Sequence, residues 1–160
     1  MNQSTIASPV IFSGFPKSIR NPTRGPESRL VGKVLVAGNA GVCRNSAIRL
    51  LERIGFEVRL AAEGPQVVSL LDSDVSAYVL VIFDCNLYGT NAVQVLREIR
   101  IRSANMPVIL MNRFRYTHVM KGQDKAGHSA FLSKPFTFDT LSSALRAALG
   151  QQAPVLPGMS

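Results

Sequence analysis

Five residues that stand where apolar segments end are the candidates for chemistry in this sequence. Asp84 follows the strongest apolar run, Asn112 and Lys134 follow two later runs, and Gly38 and Asn39 follow the first. The carboxyl ends of parallel strands meet at one edge of a sheet, where ligands bind in open α/β folds, so these residues are expected to converge. A carboxylate can attack phosphorus as a nucleophile, and a nearby ammonium group stabilises the charge on a transferring group. Asp84 and Lys134 are the candidate reactive pair; the alternative role of Asp84 is to cap a turn.

Short apolar runs alternate with amphipathic segments along the chain, an alternation typical of strand-helix units wound around a parallel sheet. The predicted strands are 33–37, 56–61, 78–83, 107–111 and 130–133. The predicted helices are 42–54, a short one after Pro65, 92–102, a fourth between the last two strands, and a fifth along the stripe Phe138, Leu141, Leu145 and Leu149. In the third helix, Val93, Leu96 and Ile99 are expected to face the sheet. The predicted fold is α/β, a doubly wound five-stranded parallel sheet with helices on both faces.

The composition suits one globular domain with tails. The chain has 160 residues, 46% of them apolar, and a formal charge of +8 with a pI near 10.2. Residues 1–31 and 151–160 lack sustained periodicity, so we expect a flexible basic N-terminal tail, a domain over 32–150 and a flexible C-terminal tail. The remaining positive charge is scattered without a helix-turn-helix pattern, which argues against a DNA-binding module. Without a signal-peptide pattern or a membrane-spanning apolar run, a cytoplasmic protein is expected.

Several segments resemble, in order and without insertions, the receiver domain of bacterial response regulators over about residues 32–150. Residues 84–89 look like the phosphoacceptor Asp of that family and its following loop, with Tyr88 where a proline is usual. Residues 106–112 look like its fourth strand, and 127–131 followed by Lys134-Pro135-Phe136 look like its last strand and Lys-Pro-aromatic ending. The resemblance implies a flavodoxin-like strand order of 2-1-3-4-5.

By this resemblance, Asp84 would accept a phosphoryl group from a phosphohistidine donor, and Lys134 would contact the phosphoryl oxygens. Asn112 and Phe131 match the family's switch residues, a hydroxyl residue and an aromatic that move together. Asn112 departs from the hydroxyl, and its longer amide could donate to the Asp84 carboxylate without any phosphate. The switch residues move between two conformations of the domain, and we therefore expect this domain to be held near one of them.

Charge counting predicts weak metal binding. In the family, two acids after the first strand hold magnesium, and Gly38 and Asn39 stand in their places. A pocket with three carboxylates and a lysine carries about −2, which Mg²⁺ neutralises, whereas Asp84 with Lys134 is already neutral. The weak metal candidates are the side chains of Asn39 and Asp84 and the backbone carbonyl of Asn86. We therefore expect no cofactor, Mg²⁺ binding that is weak at best, and slow or absent phosphorylation.

These departures predict a degenerate receiver domain, not an enzyme, that acts in two-component signalling through protein contacts. The alternative is a genuine phosphoacceptor modified on Asp84 by a histidine kinase or phosphotransfer protein. The expected partner is a histidine kinase, a phosphotransfer protein or another signalling protein, docked on the fourth helix, fifth strand and fifth helix. A homodimer through that face is a further alternative, and no contact with DNA or a membrane is expected. The segment that leads through the fourth helix is basic, with Arg113, Arg115, Lys121 and Lys125.

Other interpretations remain open at individual residues. The turn Gly38-Asn39-Ala40-Gly41 could hold a nucleotide or flavin phosphate, although the full dinucleotide and P-loop patterns are missing. Cys43 and Cys85 are either redox-active or free thiols that act as small hydrophobic groups. His118 and His128 lack a second ligand at metal spacing and are expected at the surface.

Overall fold

A computed structural model describes residues 32–87, 90–113 and 129–150 of the chain. Its strands are β1 (Gly32–Ala37), β2 (Phe56–Ala61), β3 (Tyr78–Asp84), β4 (Val108–Asn112) and β5 (Ser129–Ser133). Its helices are α1 (Val42–Ile54), α2 (Gly64–Asp74), α3 (Ala92–Arg102) and α4 (Phe138–Leu149), with a 3₁₀ turn at Val75–Ala77. The strands form one parallel sheet in the order β2-β1-β3-β4-β5. The predicted fold class and strand order are both confirmed.

Some predicted features lie outside the described residues. They are the two tails, Tyr88, and the fourth predicted helix with Arg115, Lys121, Lys125, His118 and His128. The C-terminal helix, predicted as the fifth, is therefore α4 here. Among the helices of the described ranges, none has the length and apolarity needed to cross a bilayer.

The sheet is covered on both faces, and alternate residues of β1 show which helices cover each face. Val34 and Val36 join Leu51 of α1 and residues of α4 in one buried cluster. Leu35 and Ala37 join residues of α2 and α3 in a second cluster on the opposite face. Every residue of β3 is also buried. Central strands buried on both sides have continuously apolar sequences, which is why both strands are recognisable from the sequence.

The buried face of α3 includes one residue more than predicted. Leu96 and Ile99 are buried as expected, and the half-buried Val93 packs against the same cluster. Val95 is buried in addition, with 5% of its surface exposed. The neighbouring helix α2 explains the change, because a Cβ atom built on Gly64 would lie 2.9 Å from Cγ2 of Val95. Helix α3 therefore buries a side chain against α2 as well as against the sheet.

The helix termini differ in which hydrogen-bond partners their backbone N–H and C=O groups have. Helix α1 ends at Gly55, whose φ of 115° lies in the left-handed region that favours glycine. Asn91 accepts hydrogen bonds from two backbone N–H groups in the first turn of α3, and Thr137 with Thr140 forms a capping box on α4. By contrast, Gly41 precedes α1 and, within the described chain, no side chain caps this end. The unsatisfied N–H groups of α1 therefore lie at the carboxyl edge of the sheet.

Candidate functional site

The five candidate residues lie along the carboxyl edge of the sheet. Asp84 is the last residue of β3, Asn112 is the last of β4, and Lys134 directly follows β5. Gly38 and Asn39 directly follow β1, the neighbour of β3. Asp84 and Asn112 are buried, with 7% and 6% of their surfaces exposed. The strand order thus places all of them at one end of neighbouring strands.

Asp84 and Lys134 form a buried ion pair. Lys134 Nζ lies 2.6 Å from Asp84 Oδ2, and the two side chains are 10% and 9% exposed respectively. Strand β4 lies between β3 and β5, so the pair bridges two strands that are not neighbours. The backbone N–H of Lys134 donates to the Asn112 carbonyl at 2.8 Å. This bond continues the hydrogen-bond ladder between β4 and β5 and so fixes the position of the Lys134 backbone. Because both charges are buried, removal of either partner would leave an uncompensated charge in the protein interior.

The second carboxylate oxygen of Asp84 is also hydrogen-bonded. The backbone N–H of Asn86 donates to Asp84 Oδ1 at 2.8 Å, a local bond that turns the chain at the end of β3. Turn capping and ion pairing are therefore combined in one side chain. The donation expected from the Asn112 amide is not one of these two bonds, although Asn112 is buried at the end of β4.

Asn39 and Gly38 shape the side of the site that faces β1. Asn39 Nδ2 donates to the backbone carbonyl of Asn86 at 3.3 Å, so an N–H group faces the carbonyl that the sequence marks as a weak metal ligand. Gly38 contributes no side chain, and a Cβ atom built on it would lie 3.7 Å from Asp84 Cβ. A methyl group at this buried position would therefore be in ordinary van der Waals contact with the Asp84 side chain.

Three oxygen atoms at this edge that could ligate a cation already accept hydrogen bonds. Asp84 supplies both of its oxygens to N–H donors, and the Asn86 carbonyl accepts from Asn39. Within the described residues, no group of three or more His, Cys, Asp and Glu side chains could hold a metal ion. Mg²⁺ prefers several hard oxygen ligands in octahedral geometry. This donor set does not match that preference.

Arg44 is a site residue that the sequence reasoning did not identify. Its Nη1 donates to the Gly38 carbonyl at 3.3 Å. Its Cγ lies 3.8 Å from the position of a Cβ atom built on Gly38, so its stem and the Asp84 side chain both pack next to Gly38. The sequence does carry a signal, because Arg44 stands in the first turn of α1, where the helix dipole disfavours a cation.

Thr90 is a second residue that the sequence reasoning missed. Its Oγ1 accepts a hydrogen bond from the Gly64 N–H at 3.1 Å and so ties the segment after β3 to the start of α2. A Cβ atom built on Gly64 would lie only 2.7 Å from Thr90 Cγ2, so the close approach requires glycine. Nothing in the sequence pairs these two residues, which are 26 positions apart.

The remaining candidate residues are Cys85, Cys43 and Phe131. Cys85 packs against the cluster on the α2–α3 face, and burial together with the charge of Asp84 raises the pKa of its thiol to about 12, against a smaller opposing effect of Lys134. The thiol is therefore protonated near neutral pH, as expected for a small hydrophobic group. Cys43 is half-buried and, like Cys85, free. Phe131 is half-buried in the middle of β5 and packs against the same cluster as Cys85.

The sequence also matches a known family. A family model described as the response regulator receiver domain matches residues 34–146. The chain belongs to the response regulator receiver family. It is 31% identical over 106 residues to the transcriptional regulatory protein TctD of Salmonella typhimurium, a match that covers 66% of this chain and 46% of TctD. This receiver domain spans about half the length of the curated relatives it matches.

Solved structures show the same fold. A response regulator receiver protein from Sinorhizobium medicae superposes with a TM-score of 0.65 at 23% identity, covering 76% of this chain and 96% of that one. The receiver domain of the sensor histidine kinase PA1611 from Pseudomonas aeruginosa, solved with a magnesium ion in its active site cleft, has a TM-score of 0.63 at 24% identity, covering 75% and 98%. Receiver domains are in general non-enzymatic modules of two-component signalling that interact with histidine kinases and phosphotransfer proteins.

Proposed function

We propose that this receiver domain is a degenerate member that signals through protein contacts, with Mg²⁺-dependent phosphorylation weak or absent. The proposal is supported by N–H groups of the protein that donate to oxygen atoms a metal ion would need. Lys134 and Asn86 donate to the Asp84 carboxylate, and Asn39 donates to the Asn86 carbonyl. A metal ion would have to displace these donors, and hydrogen bonds to charged groups are worth about 1.5–3 kcal/mol each. With one carboxylate at the site, little Coulombic attraction would offset that loss.

The charge balance also opposes the phosphorylated state. Lys134 neutralises Asp84 at 2.6 Å. A phosphoryl group on Asp84 would replace the single carboxylate charge with a charge of about −1.5 to −2 at neutral pH. Without a metal ion, the lysine at this carboxylate would have to offset that excess and also stabilise the transferring group. Slow phosphorylation from small-molecule donors follows.

Acetyl phosphate and beryllofluoride test this proposal, each with and without Mg²⁺ or Mn²⁺. We expect no phosphorylated band on a phosphate-affinity gel and no metal-dependent NMR shifts for the wild-type chain. The variant Gly38→Asp/Asn39→Asp, which restores the acid pair, should become labelled under the same conditions. Adding Asp84→Asn to that variant is the matched control, because it removes the acceptor while keeping its shape. A wild-type chain that labels readily and binds metal tightly would contradict the proposal.

The buried ion pair favours one alternative function, that of a phosphoacceptor in a phosphorelay. Asp84 and Lys134 keep the contact that such a reaction uses, at 2.6 Å. A histidine kinase or phosphotransfer protein would position its phosphohistidine directly against the carboxylate, an advantage that a small-molecule donor lacks. Transfer of ³²P from a phosphorylated histidine domain to the wild-type chain, and not to Asp84→Asn, would support this alternative over the first proposal.

We propose that the partner, a histidine kinase, a phosphotransfer protein or another signalling protein, docks on the face formed by β5, α4 and the basic segment after β4. Of the basic residues of that segment, Arg113 lies within the described residues and is exposed. A domain held in one state would bind its partner regardless of the state of Asp84. Pull-downs should therefore give equal partner recovery with the wild type, Asp84→Ala and Asp84→Glu, and reduced recovery with Arg113→Glu. A large effect of Asp84→Glu would contradict the single-state proposal.

A further inference from the structure

Strand β2 forms one edge of the sheet. It stands at the end of the strand order, and among the described residues it pairs with β1 alone. The Gly38 N–H donates to the Ala61 carbonyl at 3.3 Å, so the backbone groups of Ala61 face β1. The backbone groups of successive residues in a strand alternate between its two sides. The N–H and C=O groups of Phe56, Val58 and Leu60 therefore face away from β1.

The sequence of β2 lacks the features that ordinarily keep sheet edges from pairing. Proline, lysine and bulges serve that purpose in natural sheets. Strand β2 contains neither proline nor lysine, and its register with β1 continues without a bulge. Leu60 adds an apolar side chain that is 41% exposed. The other edge strand, β5, belongs to the docking face proposed above, whereas β2 is an edge to which a further strand can be added.

The two charged residues of β2 make this edge complementary to itself. Glu57 and Arg59 are both exposed and, two positions apart, lie on one face of the sheet. If two copies pair antiparallel about a twofold axis at Val58, each Glu57 lies opposite Arg59 of the other copy. Opposite charges at such positions stabilise a sheet, and like charges destabilise it. An axis at Glu57 or at Arg59 would instead place that residue opposite its own copy, so the charges favour the axis at Val58.

The same register also satisfies the backbone groups that face away from β1. Val58 would lie opposite Val58 of the second copy, and Phe56 opposite Leu60. Residues of a hydrogen-bonded antiparallel pair exchange both of their N–H···O bonds, which gives about six bonds across the interface. Phe56 and Val58 already pack against the buried cluster on the α1 face, so the pairing would extend that apolar face over Leu60. Charge, backbone and apolar contacts therefore agree on one register.

We propose that β2 binds β2 of a second copy of this chain, antiparallel and with the twofold axis at Val58, so that the two sheets become continuous. Strand β5 lies at the opposite end of the strand order, so the docking face that includes it stays free in each copy. Such a dimer presents two docking faces and brings two partner molecules together. The dimer forms through β2 alone and is independent of the state of Asp84, so it goes beyond the proposed function.

Sedimentation equilibrium over a series of protein concentrations tests the proposal. The mass of the wild-type chain should rise with concentration toward that of a dimer. Arg59→Glu and Glu57→Arg should each weaken dimer formation by about ten-fold or more, because each places two like-charge pairs across the interface. An equimolar mixture of the two variants should recover the dimer, because every Glu then lies opposite an Arg. The ion pair of Glu57 with Lys33 is exposed, so its loss should cost little folding stability.

Arg113→Glu is the matched control, because it makes the same charge change at an exposed residue after β4. It should leave the dimer intact. Loss of the dimer in this variant, or a dimer that persists in both β2 variants, would place the interface elsewhere and overturn the proposal. Failure of the mixed variants to associate would overturn the register with its axis at Val58. A wild-type chain that stays monomeric at about 1 mM would overturn the dimer and leave the degenerate receiver standing.

Hydrogen exchange measured by ¹⁵N NMR locates the interface directly. The N–H groups of Val58 and Leu60 should exchange more slowly as the protein concentration rises, because the second copy supplies their acceptors. The N–H group of Arg59, which faces β1, should change little. Protection of Val58 and Leu60 that is complete at low concentration and does not change would mean that the same chain occupies the edge, and would overturn the proposal of a second copy.

Discussion

Replacing Gly38 and Asn39 by aspartate should convert the neutral pocket into a magnesium site. The structure has room for the change at position 38. The φ angle of Gly38 lies outside the left-handed region, and the nearest described atoms to an added Cβ atom lie at 3.7 Å, an ordinary van der Waals distance. The Asn39→Asp change replaces the N–H donor at the Asn86 carbonyl with an oxygen. The first carbon of the new side chain at position 38 therefore fits without a clash, and both substitutions alter charge and donor type.

The magnitude follows from Coulomb's law. Two unit charges about 5 Å apart, at an effective dielectric constant of about 20, repel by roughly 3 kcal/mol. Each new carboxylate would lie near Asp84, and Lys134 would offset part of the repulsion, so we expect a loss of about 1–3 kcal/mol of folding free energy without metal. Mg²⁺ at a hundred times its dissociation constant would return about 2.7 kcal/mol. The pocket charge would fall from neutral to −2, which Mg²⁺ balances.

Urea unfolding in EDTA and in Mg²⁺ measures both effects. The double variant Gly38→Asp/Asn39→Asp should be less stable than the wild type in EDTA and should recover most of the difference in Mg²⁺, while the wild type changes little. Asn45→Asp adds a carboxylate at an exposed position of the following helix, α1, and is the control for unspecific charge effects. A wild-type chain stabilised by Mg²⁺ as strongly as the double variant would refute the prediction that the wild-type pocket binds Mg²⁺ weakly.

Three further changes test other parts of the structure. Lys134→Met should lower the free energy of unfolding in urea by about 3 kcal/mol, because it leaves the Asp84 carboxylate buried and unpaired. Gly64→Ala should lower it by about 1–3 kcal/mol, because its methyl group would lie 2.7 Å from Thr90 Cγ2. The free energy of unfolding should also fall as pH rises from 9.0 to about 12, because the Cys85 thiol ionises first in the unfolded chain. The slope from this thiol is at most about 1.4 kcal/mol per pH unit, and Cys85→Ala should remove it.

Each of these changes has a control and a contrary outcome. The double variant Asp84→Asn/Lys134→Met should recover most of the lost stability, and a double variant as unstable as Lys134→Met would show that the unpaired charge is not the cause. Gly41→Ala should leave stability nearly unchanged, and an equal loss at both glycines would remove the steric explanation for Gly64. If the free energy of unfolding falls just as steeply with rising alkaline pH in Cys85→Ala, other ionisable groups cause the fall.

The sequence predicted the sheet and the edge residues well because both depend on simple burial. Strand β3 is buried on both faces, so its sequence is continuously apolar up to Asp84, the charged residue at its end. The same logic places Asn112 at the end of β4. The resemblance to the receiver family added Lys134, whose surroundings in the sequence do not by themselves distinguish it from a surface lysine.

Side-chain hydrogen bonds were less predictable, because they depend on residues distant in sequence. Asn39 and Asn86 are 47 positions apart, and either end of the Asn39 amide is compatible with the sequence. Val95 is buried in addition to the predicted residues because α2 packs against α3, a contact that the periodicity of α3 alone does not contain. Arg44 was overlooked because basic residues in helices are ordinarily solvated, and its position in the first turn was the sole warning.

The bridge from Asp84 to Lys134 passes across the end of β4 and so fastens three strands together. Natural selection for a stable fold alone would be enough to keep both residues, whether or not Asp84 accepts a phosphoryl group. Acids whose sole task is to bind metal would have no such protection. The Asp84–Lys134 pair is therefore a feature of the architecture, and its presence does not by itself imply phosphoryl transfer.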